Sequence, residues 1–314
     1  MCGRYKILPQ ADWSEIYGYL GNSSAKQFDA SPARYNIAPS EAVPIVIHDN
    51  TASPKLIDAR WGLVPHWWSQ NQLPTKTSNA RSETASKKPM WREAWRTHRC
   101  LIPATGWYEW FNYETGTREP LKIPHHIQPS DERPFMFGGL WSEWHRHGRD
   151  DIMVSATIVT YASPPDIAVI HERTPLVLKP QYWDQWLKTD MQNSDQVQRM
   201  VQEGAIHTFT LRPIDTAVSK AINRGPECLE TKTWAELEAQ GTVRYNEVQL
   251  AELRERDHDG LVSQLIGKSN SIPAERRLWI RELMDRDDAA MFEGFLNEVR
   301  YTLRPSDSSQ ANLI

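Results

Sequence analysis

Apolar and polar positions along this 314-residue chain change period many times before residue 235 and settle into a helical rhythm after it. The first residues are short and extended, and apolar positions three and four apart predict a helix over about 11–20. A polar stretch, 21–33, leads into RYNIAPSEAVPIVIHDN, a turn followed by a strand at 43–48; LIDARWGLVP (56–65) is its hairpin partner, ending at Pro65. HWWSQNQLPTKTSNARSET (66–84) is long, polar and turn-rich, the kind of loop that often carries function in a compact domain. SKKPMWREAWRTHR (86–99) predicts a helix with Trp91 and Trp95 on one face. CLIPATGWYEWF (100–111), LKIP (121–124), PFMFGGLWSEW (134–144) and DIMVSATIVTYA (151–162) read as strands, and 180–202 as a helix entered through Pro180. HTFTLRPI (207–214) and the AVSKA region (217–221) return to strand or loop. No repeat and no Gly-rich phosphate loop interrupts this order. The expected class is α+β: an antiparallel β-sheet core of many short strands flanked by helices.

The texture changes after Trp234. VQLAELRERDHDGLVSQLIG predicts an amphipathic acidic helix, a second helical run follows from Pro273, and the last ten residues, PSDSSQANLI, suit a disordered tail. The division expected is a body over 2–235, a helical C-terminal appendage over 236–304 and a tail over 305–314.

Composition narrows the class. With 39% hydrophobic and 24% charged residues the chain can bury one large core. It has no run of about 18 apolar residues, and MCGRYKILPQ lacks a basic-then-apolar leader, so neither a membrane span nor secretion is expected. Three separated cysteines, Cys2, Cys100 and Cys228, fit a reduced cytoplasmic chain better than a disulfide or zinc scaffold. Cys100, in an apolar strand, is expected to be buried; Cys228 fits either setting. His125/His126 and His145/His147 lack partnered ligands and are assigned to surface or turns rather than to a metal.

The net charge of −4 argues against a general nucleic-acid binder, but residues 236–314 alone carry −5 and leave the body at +1. Within that body, 76–99 holds seven Lys+Arg against two Asp+Glu. Such a stripe can follow a phosphate backbone, or simply be a solvated helix face. Fourteen tryptophans, several three or four apart, are mostly core by this spacing, with a few able to stack on unpaired bases.

Cys2 is the first residue with distinctive chemistry. Once Met1 is removed, an N-terminal cysteine carries an α-amine that titrates near 8 and a thiol on the adjacent carbon. The amine can form a Schiff base with an aldehyde, and the thiol can then close a five-membered thiazolidine. Alone, position 2 would be unremarkable. It stands at the head of an ordered set: MCGRY, RYNIAP at 34–39, WGLVPHWW at 61–68, SNARSET at 78–84, KPMWREAWRTHRCLIPATGWYEW at 88–110, FGGLWSEW at 137–144, TIVTYAS at 157–163 and IHERTPLVL at 170–178.

This set resembles the SRAP family (SOS response-associated peptidase) over about residues 2–235. The resemblance implies an α+β body of antiparallel sheets curled as an open barrel, with a positively charged groove. It implies binding of single-stranded DNA, and a covalent cross-link to abasic sites through Cys2 that shields them during the DNA damage response. Cys2, Asn79, Glu109 and His171 would be catalytic, Glu109 and His171 moving protons and Asn79 orienting Cys2 or the sugar. Arg4 and Arg81 would hold phosphates; Trp67 and Trp68 would wedge against or stack on bases; Asn36, Pro39 and Thr160 would line the same site. HERTP stands where the family often has HDRMP, and TGWYEW where it often has DGFYEW, and both keep the functional side chains. No metal or cofactor is expected, and the location is cytoplasmic, in association with DNA. Two other classes fit the residue types: a thiol peptidase with Cys2 as nucleophile and His171 as base, and a non-covalent single-strand binding module. The acidic extension lies outside the family pattern; it could dock on the body, recruit a protein partner or compete with DNA.

Overall fold

The computed structural model describes residues 2–21, 32–48, 54–113, 121–145, 151–168, 170–188 and 194–231, and the expected appendage and tail lie outside them. The described part is α+β. In chain order come β1 (Arg4–Ile7), α1 (Ser14–Leu20), β2 (Arg34–Ile37), β3 (Ala42–Ile47), β4 (Lys55–Trp61), β5 (Asn79–Arg81), α2 (Ser82–Ala85), α3 (Pro89–Thr97), β6 (Arg99–Ala104) and β7 (Gly106–Tyr113). There follow β8 (Leu121–Pro129), β9 (Phe135–His145), β10 (Ile152–Ala162), α4 (Pro165–Ala168), β11 (Arg173–Pro175), β12 (Val177–Leu178), α5 (Trp183–Leu187), α6 (Ser194–Gly204) and β13 (Phe209–Pro213).

Two sheets share one core. The first has the order β13-β8-β7-β1-β2, with antiparallel neighbours throughout. The second runs β11-β10-β4-β3-β6-β9-β12, and an additional β9–β10 pairing curls it into a partial barrel. It is mixed rather than purely antiparallel, because β4 and β5 both pair parallel with β10. Between the sheets, Tyr5 meets Trp61 edge-on at 5.2 Å, and Trp107 meets Phe209 at 5.2 Å and Phe137 at 6.0 Å. Buried aromatic pairs of this kind add to simple area burial.

Three departures from the pattern-based expectation have clear causes. The strand expected over 100–111 is two strands in two sheets, β6 and β7, hinged at Thr105–Gly106. Gly106 has φ +154°, and a Cβ there would run into His126 Nε2 and Lys6 Cε, so only glycine permits the corner. The partner strand of the first hairpin stops at Trp61 rather than Pro65, because Gly62, at φ +129°, turns the chain out of the ladder. The helix expected over 180–202 begins as a 3-10 turn at Pro180–Tyr182 and divides into α5 and α6. Arg99 fixes this arrangement. Its buried guanidinium takes the carbonyls of Trp95 and Arg96 at the end of α3 and of Trp186 and Lys188 at the end of α5. Cations at helix C-termini satisfy the orphaned carbonyls and the dipole together. Arg99 therefore leaves the basic stripe and becomes a buried cap.

His125 and His126, expected at the surface or in a turn, are buried on β8. Trp91, Trp95, Trp107, Trp144, Trp183 and Trp186 are all core, as the spacing suggested. Cys100 and Cys228 are buried thiols.

Candidate active site around Cys2

β1 leaves the chain terminus and lies between β2 and β7, with Arg4 opposite Tyr108, Tyr5 opposite Trp107 and Lys6 opposite Gly106. Continuing that ladder toward the terminus brings Glu109 beside the Cys2–Gly3 end. From the other sheet, β5 lies along β10 with Asn79 opposite Ile158, and Asn79 Nδ2 donates to the Cys2 carbonyl at 2.7 Å. Asn79 Oδ1 is buried and accepts no hydrogen bond from the described residues. An unpartnered buried acceptor in a native site calls for an explanation such as a ligand donor. β5 falls inside the stretch expected to be loop; three residues are too few for a period to show.

The Cys2 thiol is fully buried and directs its hydrogen to the Arg4 carbonyl, with Sγ 3.8 Å from that oxygen. Burial first, and the Glu109 carboxylate second, hold it well above the ordinary thiol range, so it rests protonated. Glu109 is 2% exposed, and burial pushes its pKa from 4.5 up to about 7. His171 follows α4 and precedes β11; its pKa is lowered chiefly by burial. The Arg173 backbone N–H donates to His171 Nδ1 at 2.9 Å. An imidazole that accepts at Nδ1 carries its proton on Nε2, so this contact sets the tautomer.

Two residues without an assigned role complete this wall. Arg173 binds Glu83 through two hydrogen bonds of 2.8 and 2.9 Å and gives a third, 2.7 Å, to the Thr160 carbonyl. The pair joins α2, which starts directly after Arg81, to β11, which starts two residues after His171. SNARSET and IHERTP hold both side chains, but their pairing is visible only in three dimensions.

The residues assigned to DNA contact divide into two groups. Trp67 is half-exposed on the loop after Gly62, with Trp68 6.0 Å away and its Nε1 donating to the Gln72 carbonyl. Arg81 and Pro39 are exposed. Asn36 and Thr160 are buried, and Arg4 is partly so. Arg4 donates to Asn36 Oδ1 and the Val218 carbonyl, both at 2.9 Å, while Asn36 Nδ2 reaches the carbonyls of Val218, Lys220 and Asn223. Both thus fasten a strap, 214–230, over the outer face of the first sheet, where Ile214, Val218 and Cys228 pack on Tyr108. Thr160 Oγ1 donates to the Ala80 carbonyl at 3.4 Å, bracing β5. Among the described residues no group of three His, Cys, Asp or Glu is placed to hold a metal, and no helix is long and apolar enough to cross a membrane.

Comparison with known proteins agrees with this architecture. A crystal structure of a protein from Bacteroides thetaiotaomicron superposes with a TM-score of 0.61 at 19% identity, over 74% of this chain and 100% of that one. The abasic site processing protein YoqW of Bacillus subtilis is 29% identical over 235 residues, 74% of this chain and all of its own length. The abasic site processing protein YedK of Escherichia coli is 28% identical over 236 residues, 73% of this chain and 99% of its own. The Xenopus tropicalis protein HMCES, also an abasic site processing protein, is 24% identical over 220 residues, 62% of this chain and 65% of its own. The family profile described as SOS response associated peptidase (SRAP) matches residues 1–221, and the chain belongs to the SRAP family.

Proposed function

We propose that this protein processes abasic sites in single-stranded DNA by capturing them covalently on Cys2 after Met1 is removed. The observation that carries the reading is a buried Cys2 held by Asn79 at 2.7 Å and set against a carboxyl group whose pKa is about 7. The Cys2 amine adds to the C1′ aldehyde of the open sugar, giving a carbinolamine. Glu109, whose burial raises its pKa toward neutrality, takes a proton from the amine and returns one to the departing hydroxyl, which leaves as water. The C=N bond formed is then attacked by Sγ, the thiol proton passes to the amine nitrogen by way of Glu109, and the thiazolidine closes. One water is released and nothing is oxidised or reduced. His171, as the Nε2–H tautomer, donates a hydrogen bond to a sugar oxygen and favours the open aldehyde. Arg81, Trp67 and Pro39 offer the exposed surface for the strand, with Trp68 partly buried beside Trp67. Arg4 and Asn36 act there through the strap, and Thr160 through β5.

A thiol peptidase needs a depressed cysteine pKa, because the thiolate is the nucleophile. Burial and Glu109 move Cys2 the other way, which favours amine-first chemistry. The test is a denaturing gel of the mature protein with single-stranded DNA bearing one abasic site, with intact-mass analysis of the terminus. Wild type should give a shifted band that requires the abasic site, and Cys2→Ala should give none. An absent band from wild type, with Met1 shown to be gone, overturns the proposal.

A further inference from the structure

Ile222 is the most exposed large apolar side chain among the described residues, at 83%. A lone exposed isoleucine ordinarily needs no explanation. Here, however, the backbone is fastened on both sides of it. Before it, Val218 and Ser219 are held by Arg4, and Lys220 by Asn36. After it, the Asn223 carbonyl accepts from Asn36 at 2.9 Å, while the Asn223 amide donates to the Ala217 carbonyl at 2.9 Å and its N–H to the Lys220 carbonyl at 3.1 Å. The strap does not let Ile222 fold back onto the apolar cluster beneath; it holds the side chain out in water.

The tip is tied to the strand that follows Cys2 and to the strand that carries Glu109. Arg4 lies two residues from Cys2, about 7 Å along an extended strand. Trp110, which follows Glu109 on β7 with its side chain on the opposite face, donates from Nε1 to Ser219 Oγ at 2.9 Å. Lys220 and Arg224, both exposed, flank the isoleucine, and Arg4 lies below. The acids at the tip are Glu41, which pairs with Arg224 at 3.2 Å on the turn that carries exposed Pro39, and Glu227, which accepts from the Gly225 N–H at 3.0 Å. One rigid apolar side chain between two cations suits a strand in which flat apolar bases alternate with phosphates. A protein partner would call for a broader apolar patch.

We propose that Ile222 is a wedge that packs against an unpaired base beside the nucleotide held at Cys2, with Lys220 and Arg224 on the adjoining phosphates. This rests on the site being one for single-stranded DNA. Apolar wedges between bases are a general device of DNA-binding proteins.

The test uses the full chain and two short strands. The first carries a central tetrahydrofuran abasic analogue, which cannot react, so binding is separated from chemistry. In the second, the bases on either side are replaced by the same analogue. Fluorescence anisotropy should show Ile222→Ala weakening binding to the first strand roughly three- to tenfold. Ile222→Met should restore it, and all forms should bind the second strand alike. Thermal melting should be unchanged, given the exposure of the residue. Equal binding of wild type and Ile222→Ala to the first strand, or equal weakening on both strands, overturns the wedge. A wild-type protein that cross-links a true abasic strand with no effect of Ile222 overturns the wedge alone. One that neither binds nor cross-links overturns the functional proposal with it.

Discussion

Glu109 and Cys2 show how single residues acquire chemistry from burial. A carboxyl group with a pKa of about 7 keeps its proton in the folded chain to far higher pH than in the unfolded one, where it ionises near 4.5. The folded state binds the extra proton between those values, so this contribution to stability is full below about 4.5 and is lost as pH rises to 7. The total is about 3 kcal/mol. Glu109→Gln keeps the neutral shape and cannot ionise. Denaturant melts from pH 4 to 8 should therefore show wild type losing about 3 kcal/mol relative to the variant. A constant difference across that range would contradict the raised pKa. In single-turnover cross-linking the same variant should be slower by about a hundredfold or more, the usual worth of a positioned acid–base group. The motif GWYEW makes Glu109 readable as a candidate in the sequence; its buried setting comes from β1 and the opposite sheet.

Among elements, the corner between β6 and β7 decides the most. It carries the chain from one sheet to the other and so brings Glu109 alongside β1. Gly106→Ala should lower unfolding free energy by about 2 kcal/mol or more, since positive φ and the clash with His126 and Lys6 act together. Chemical denaturation measures this directly, and a neutral result would mean the corner relaxes freely. The strap makes a second case. Asn36→Leu keeps the volume but leaves the carbonyls of Val218, Lys220 and Asn223 without that donor. Limited proteolysis should then cut within 214–230 under conditions in which wild type resists, at a stability cost of about 3 kcal/mol. RYNIAP announces Asn36, but nothing local pairs it with a strap more than 180 residues away.

At the scale of the molecule, charge is divided unevenly. The body is close to neutral, its basic stripe has lost Arg99 to helix capping, and residues 236–314 carry −5. We expect the acidic extension to compete with DNA for the basic surface. A chain ending at 235 should bind single-stranded DNA more tightly than the full chain at low ionic strength. The two should converge as salt screens the repulsion, in anisotropy titrations across ionic strength. Equal affinity at low salt would leave the extension without this role.

The sequence by itself determined the α+β class, most strands and the aromatic core, and it marked Asn79, Glu109 and His171 as candidates alongside Cys2. Those follow from period, from the burial that tryptophan spacing demands, and from long ordered motifs. It did not reveal β5, too short to show alternation, or the hinge at Gly106, where one apolar run serves two sheets. The roles of Arg4, Asn36, Arg99 and Arg173 were also hidden. A charged or amide side chain in a sequence looks the same whether it faces solvent or caps carbonyls inside the protein. Only the tertiary structure brings the carbonyls of the 218–223 segment, the ends of α3 and α5, and Glu83 to those side chains, and so decides which groups meet water or a ligand and which hold the protein together.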